Sequence, residues 1–128
     1  MNCACGSKRD YTTCCGAFIT GQKQPKTALE LMKSRYTAYA MNYVEYIQES
    51  MTGKALDAFF EQGTPHDPLV WTKLEICETR KGEVHDSKGM VRFKAYYFLD
   101  ETTHCLHEQS QFVKQDGRWL YCEGKIIS

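Results

Sequence analysis

The chain changes its hydrophobic period once. From Ala28 onward apolar residues recur at helical spacing, at Leu29, Met32, Tyr36, Tyr39 or Ala40, Tyr43 and Ile47, which marks one core-facing stripe. Thr27 and Glu30 stand just ahead of it with the spacing of a capping box, in which each side chain satisfies an exposed backbone N–H of the first turn. A helix is expected to start there, with a break near Asn42 that divides the stripe into two helices. Lys54 to Gln62 reads as a further short helix with Leu56, Phe59 and Phe60 inward, stopped at Gly63 and kept from continuing by Pro65 and Pro68.

Beyond Pro68 the period becomes two. The expected strands are Val70 to Arg80, Gly89 to Leu99, Thr103 to Lys114 and Arg118 to Ile126, with turns at Lys81-Gly82, Asp100-Glu101 and Asp116-Gly117. Connections this short join antiparallel neighbours, so the strands form a meander. Helices first and strands second predict an α+β fold with the sheet wrapped over the helices. Gly21 and Pro25 among lysines make residues 21–26 a linker. It divides an N-terminal unit, residues 1–20, from a main body, residues 27–128.

Composition narrows the class without changing this layout. With 42% hydrophobic and 25% charged residues the chain is an ordinary globule. No apolar run approaches the roughly 18 to 20 residues of a membrane span, and the N-terminus lacks the pattern of a signal peptide. A cytoplasmic location follows, where thiols stay reduced and clustered cysteines favour metal over disulfides. The net charge is zero, yet residues 1–35 carry six basic side chains against Asp10 and Glu30, a balance of +4. Four thiolates around one Zn²⁺ would reduce that bias to about +2.

The densest chemistry is CACGSKRDYTTCCG, residues 3–16, which holds four of the seven cysteines. Cys3, Cys5, Cys14 and Cys15 form two ligand pairs joined by a short loop, the donor set of a closed tetrahedral zinc site with no open catalytic position. So short a segment buries no useful core, and metal binding supplies its folding energy. Iron and a redox role are the competing readings, although Cys14-Cys15 lacks the C-x-x-C spacing of redox pairs. Cys77, Cys105 and Cys122 are dispersed and read as small core residues.

The stretch resembles the SEC-C motif, a zinc knuckle of pattern C-P-C-G-S-G-x-x-Y-x-x-C-C-G. Cys3, Cys5, Gly6, Ser7, Tyr11, Cys14, Cys15 and Gly16 match, while Ala4 replaces the proline and Lys8 the second glycine. The resemblance implies structural Zn²⁺ and a docking module for protein or nucleic acid, without catalysis. ALELMKSRYTAYAMNYVEYI, KLEI, GMVRFKAYY, LHEQSQF and GRWLYCEG in turn resemble the YchJ-like family of bacterial proteins. That resemblance covers nearly the whole chain and implies a nuclear transport factor 2-like (NTF2-like, cystatin-like) cone of helices closed by a curved antiparallel sheet. The family often carries a second, C-terminal knuckle, and this sequence ends at Ser128 without one.

Strand alternation places Leu106, Glu108, Ser110 and Phe112 on one face. If that face is the core, Glu108 points into the cone and needs a partner, for which Arg35 on the lining helix is the candidate. Two readings follow. In one, Arg35, Tyr36, Glu108 and Trp119 line a ligand pocket, with Arg35 on an anionic group and Glu108 as base or acceptor. In the other, Arg35 and Glu108 are a buried ion pair that fixes helix on sheet. His107-Glu108 begins like H-E-x-x-H, but Gln111 holds the second histidine position and the segment is a strand. His104 and His107 fall on opposite faces and read as solvated or packed. Phosphate-loop, dinucleotide and serine-hydrolase motifs are missing.

The expected function is therefore a non-catalytic adaptor whose knuckle contacts a protein or ribonucleoprotein partner. The alternative is a small-molecule binder or enzyme that uses the cone. Direct nucleic-acid binding ranks third, because few aromatic residues interleave with the basic segment. A homodimer and a small ligand are the remaining partners the reading allows, with no membrane association.

Overall fold

The main helix starts where its cap residues stand. A computed structural model describes residues 1–62 and 69–127, and in it Thr27 Oγ1 accepts from Glu30 N at 3.1 Å at the head of a helix spanning Ala28–Met41. The Glu30 carboxylate reaches one residue further back than the capping box requires, to Lys26 N at 2.8 Å. The helix ends at Asn42, whose left-handed backbone (φ 61°) turns the chain into a second helix, Val44–Glu49. Asparagine tolerates that conformation better than most residues. Numbered in chain order, these are α2 and α3. Ahead of them lie a 3₁₀ turn at Tyr11–Thr13 and a short helix α1, Cys15–Ile19; after them comes α4, Gly53–Gln62. The expected stop at Gly63, Pro65 and Pro68 lies outside the described residues.

Four strands follow, β1 (Val70–Lys81), β2 (Lys88–Leu99), β3 (Thr102–Gln115) and β4 (Arg118–Ile126), paired as an antiparallel meander in chain order. They match the expected strands within a residue at each end. Irregularities at Trp71/Lys73, Ile76/Glu78 and Gln111/Phe112 bend the ladder and let the sheet curl over α2. The tip of the first hairpin touches the start of that helix. Ala28 N donates to Gly82 O at 2.9 Å, and a Cβ on Gly89 would lie only 2.5 Å from Gly82 Cα.

The core lies between α2 and the concave sheet face. Leu31, Met32 and Tyr36 meet Val91, Phe93, Ala95, Phe112 and Trp119, all buried. Each large apolar side chain buried here contributes about 1.5 to 3 kcal/mol. The period-two pattern places Ser110 and Phe112 of β3 on the core face, and both are buried. The helix side differs from the expected stripe: Leu29 is half-buried and Tyr43 exposed, whereas Ser34, Arg35 and Thr37 are buried. The cause is that α2 is covered on several sides. The sheet takes one face, α3 another through Ser34 Oγ and Tyr46 OH at 2.7 Å, and the cysteine segment a third, with Cys3 Sγ 3.6 Å from Thr37 Oγ1. Cys105 is exposed and Cys77 and Cys122 half-buried, so the dispersed cysteines are not the small core residues expected. They fall on strand positions that the single-layered sheet leaves partly in solvent.

Candidate functional site

The N-terminal segment folds around its cysteines. Cys3 N donates to Arg9 O at 2.8 Å, which closes the loop, and Asp10 caps the 3₁₀ turn by accepting from Thr12 N. Gly16 has no side chain because Tyr11 occupies its place: a Cβ there would lie 2.6 Å from Tyr11 O and 2.8 Å from its ring. The result brings the four Sγ atoms of Cys3, Cys5, Cys14 and Cys15 within 4.8 Å of one another, with three of the four residues buried.

This donor set fits a metal ion. A tetrahedron with metal–sulfur bonds of about 2.3 Å has edges of about 3.8 Å, and Cys5 and Cys14 already stand 3.6 Å apart. Cys5 is drawn down to about 4 by the hydrogen bond from Cys15 and by those from Ser7, so it is a thiolate at neutral pH. Cys15 is pushed up because it serves as that donor, and burial pushes Cys14 up. Ser7 Oγ lies 3.1 Å from Cys14 Sγ and supports the sulfur from outside. A bound cation would displace the thiol protons that remain in the cluster.

A groove runs beside the knuckle, about 790 Å³ in volume. Among the described residues Arg9, Lys23, Lys26, Lys33 and Lys114 line it against one carboxylate, that of Glu30. Trp119 forms part of its floor, and its Nε1 donates to Lys26 O at 3.0 Å. The basic bias of the first 35 residues is therefore concentrated on one surface, with Lys114 added from β3. Sequence order gave no sign of that last contribution.

A second cavity, about 200 Å³, lies under the concave sheet. Arg35, Tyr36 and Glu108 line it as expected, together with Tyr39, Trp71 and Tyr121. Trp119 does not line it. The residue pairs with Lys114, six positions along β3 from Glu108, and packs into the core beside Ala28 at the start of α2. Arg35 and Glu108 form no ion pair. Arg35 Nη1 instead donates to Ile47 O at 2.8 Å and Ser50 Oγ at 2.5 Å, holding the C-terminus of α3, where a cation is favoured by the helix dipole. Glu108 Oε2 accepts from Ser110 Oγ at 2.5 Å and Tyr121 OH at 3.0 Å. The Tyr121 ring separates the two charges, 4.7 Å from the guanidinium carbon. Tyr39, Trp71 and Tyr121 carry aromatic signals that were legible in the sequence, but only the curl of the sheet brings them to one cavity. His104 stacks on Tyr97 with ring centres 5.2 Å apart, and His107 meets Arg92 at 3.1 Å, so the two histidines share no site.

An α+β cone of the NTF2-like type with a four-cysteine SEC-C knuckle packed against its main helix is the class that this fold and site define. The chain belongs to the YchJ-like family: residues 27–124 match the family described as "YchJ, middle NTF2-like domain". A UPF0225 protein of Vibrio parahaemolyticus is 34% identical over 127 residues, 96% of this chain and 74% of that one. One from Streptomyces coelicolor is 34% identical over 98% of this chain and 95% of its own. The solution structure of a SEC-C motif containing protein from Rhodopseudomonas palustris superposes with a TM-score of 0.81 at 30% identity, over all of both chains. A sec-c motif containing protein from Psychrobacter arcticus shares the fold, with a TM-score of 0.74 at 21% identity over all of this chain and 84% of that one. Among the described residues no helix is long and apolar enough to cross a membrane.

Proposed function

We propose that this protein is a non-catalytic adaptor: Cys3, Cys5, Cys14 and Cys15 hold a structural Zn²⁺, and the groove beside the knuckle docks an acidic segment of a protein or ribonucleoprotein. The observation that carries this reading is the coincidence of a closed thiolate cluster with a groove lined by five cations and one carboxylate. A site with four protein sulfurs leaves no coordination position for a substrate, which favours a structural metal. Clustered cations raise the local concentration of an acidic partner and speed its docking.

The reading is tested with the full chain. Native mass spectrometry is expected to find one zinc per chain, absent from Cys14→Ser. A fluorescent oligoglutamate peptide and a short single-stranded RNA of equal charge serve as docking probes. Binding of either is expected to weaken as salt rises and to fall at least tenfold in the double variant Lys23→Glu/Lys33→Glu, leaving the zinc in place. Binding that ignores both salt and charge reversal would overturn the groove assignment, and a chain purified without chelator that carries no metal would overturn the knuckle.

A further inference from the structure

The cavity under the sheet holds two charged groups that the fold uses only in part. Arg35 is 6% exposed, and burial pulls its pKa down, so its charge is costly where it stands. Its Nη1 is fully engaged with α3, yet no group among the described residues accepts from Nε or Nη2. Glu108 uses Oε2 for Ser110 and Tyr121, and nothing among the described residues donates to Oε1. Among the described residues no enclosed side-chain nitrogen or oxygen lacks a partner. The spare atoms of Arg35 and Glu108 therefore face open volume, and the cavity is the volume they share.

The remaining walls are apolar, with Trp71, Tyr36, Phe93 and Leu106 around the two polar ends. Trp71 and Tyr39 keep partial exposure and frame the way in. A space of about 200 Å³, at roughly 15 Å³ for each water-sized group, takes a molecule of about a dozen non-hydrogen atoms. The polar arrangement is also built rather than incidental. Gly124 sits against the Tyr121–Glu108 pair, where a Cβ would come within 2.6 Å of Glu108 Oε2 and would collide with the Tyr121 hydroxyl.

We infer that this cavity is a binding site for a small amphipathic carboxylate that also carries a hydrogen-bond donor, namely an α-amino or α-hydroxy acid with an aromatic or branched side chain. The carboxylate takes the free edge of Arg35, a geometry suited to bidentate contact. The ammonium or hydroxyl donates to Glu108 Oε1, and the apolar body lies against Trp71. Such a ligand leaves the charge balance of the cavity near zero and satisfies both spare groups at once. This site is separate from the groove of the proposed adaptor function and stands without it.

The two tryptophans provide the readout. In protein labelled with ¹⁵N at the indole nitrogens, Trp71 lies in the cavity, whereas Trp119 is held on Lys26 outside it. L-Phenylalanine and L-phenyllactate are titrated, with 3-phenylpropionate and 2-phenylethanol as probes that lack the donor and the carboxylate. Saturable movement of the Trp71 signal with a still Trp119 is expected for phenylalanine or phenyllactate, at least tenfold tighter than for either truncated probe. Glu108→Gln is expected to weaken phenylalanine more than phenyllactate, since it removes the charge that meets an ammonium, and the tighter of the two probes identifies the class. Arg35→Lys is expected to weaken both; if loss of its bond to α3 unfolds that variant, Glu108→Gln decides alone. A Trp71 signal that responds to none of the probes, equal affinity for 3-phenylpropionate, or binding unchanged in Glu108→Gln would overturn the assignment.

Discussion

Lys8 stands where the SEC-C pattern has glycine, and its backbone explains the glycine. Its φ is 67°, in the left-handed region that costs a residue with a Cβ about 1 to 2 kcal/mol. Lys8→Gly is therefore expected to stabilise the knuckle by about 1 kcal/mol. Because folding and metal binding are coupled there, this reads as about fivefold tighter zinc in a chelator competition. Unchanged or weaker zinc would show that Lys8 makes a compensating contact. Asp10 is the knuckle's other sensitive residue. Hydrogen bonds from Thr12, then from the N-terminal ammonium, hold its carboxyl down to about 2 from 3.8. A depressed folded value means that the contribution is present above about 3.8 and is lost as pH falls toward about 2. The Thr12 amide shift is expected to titrate with its midpoint near 2; a midpoint in the ordinary carboxylate range would remove the cap from the account.

At the scale of elements, α2 is the part on which everything else rests, since the sheet, α3 and the knuckle all pack on it. Its cap is exposed enough to be tested without disturbing those contacts. Thr27→Ala is expected to cost about 1 kcal/mol, a fall of about 3 to 6 °C in Tm by calorimetry, with zinc content unchanged. No change in Tm would mean that the Glu30 bond to Lys26 N holds the first turn by itself. The strands were readable because alternation survives in the middle of β2 and because the turn residues Lys81-Gly82, Asp100-Glu101 and Asp116-Gly117, all at positive φ, separate them. The helix was misread on one side because a helix buried on three faces has no single apolar stripe: polar residues that satisfy one another replace it.

For the whole molecule, the question is whether knuckle and cone are one cooperative unit. Thr37 in the middle of α2 touches Cys3, and Trp119 of β4 holds Lys26, so the two parts share contacts at both ends of the N-terminal segment. The rest of the sheet's core, Val91, Phe93, Ala95 and Phe112, makes neither contact. Removal of the proposed zinc with a chelator is therefore expected to expose amides of residues 3–20 to hydrogen exchange at once. Protection should fall several-fold in α2 and remain in β2 and β3. Uniform loss across the sheet would show one unit, and unchanged exchange in α2 would show two independent ones.

Some of this was fixed by the sequence alone. Four cysteines within thirteen residues specify their own meeting point, since so short a loop leaves the sulfurs nowhere else to converge. The cap at Thr27, the left-handed turn at Asn42 and the four strands are local too, set by side chains that act on neighbouring backbone. What tertiary structure decided is long-range. Arg35 was expected on Glu108 and is found on Ile47 and Ser50, because α3 folds back across the helix and Tyr121 fills the space between the charges. Trp119 was expected in the cavity and is found beside Lys26, because it pairs with Lys114, toward the opposite end of β3 from Glu108. Lys114 joined a basic groove whose other cations, Arg9 to Lys33, all belong to the first quarter or so of the chain. Periodicity states which face a side chain takes, but the curvature of the sheet and the packing of the helices determine what that face meets.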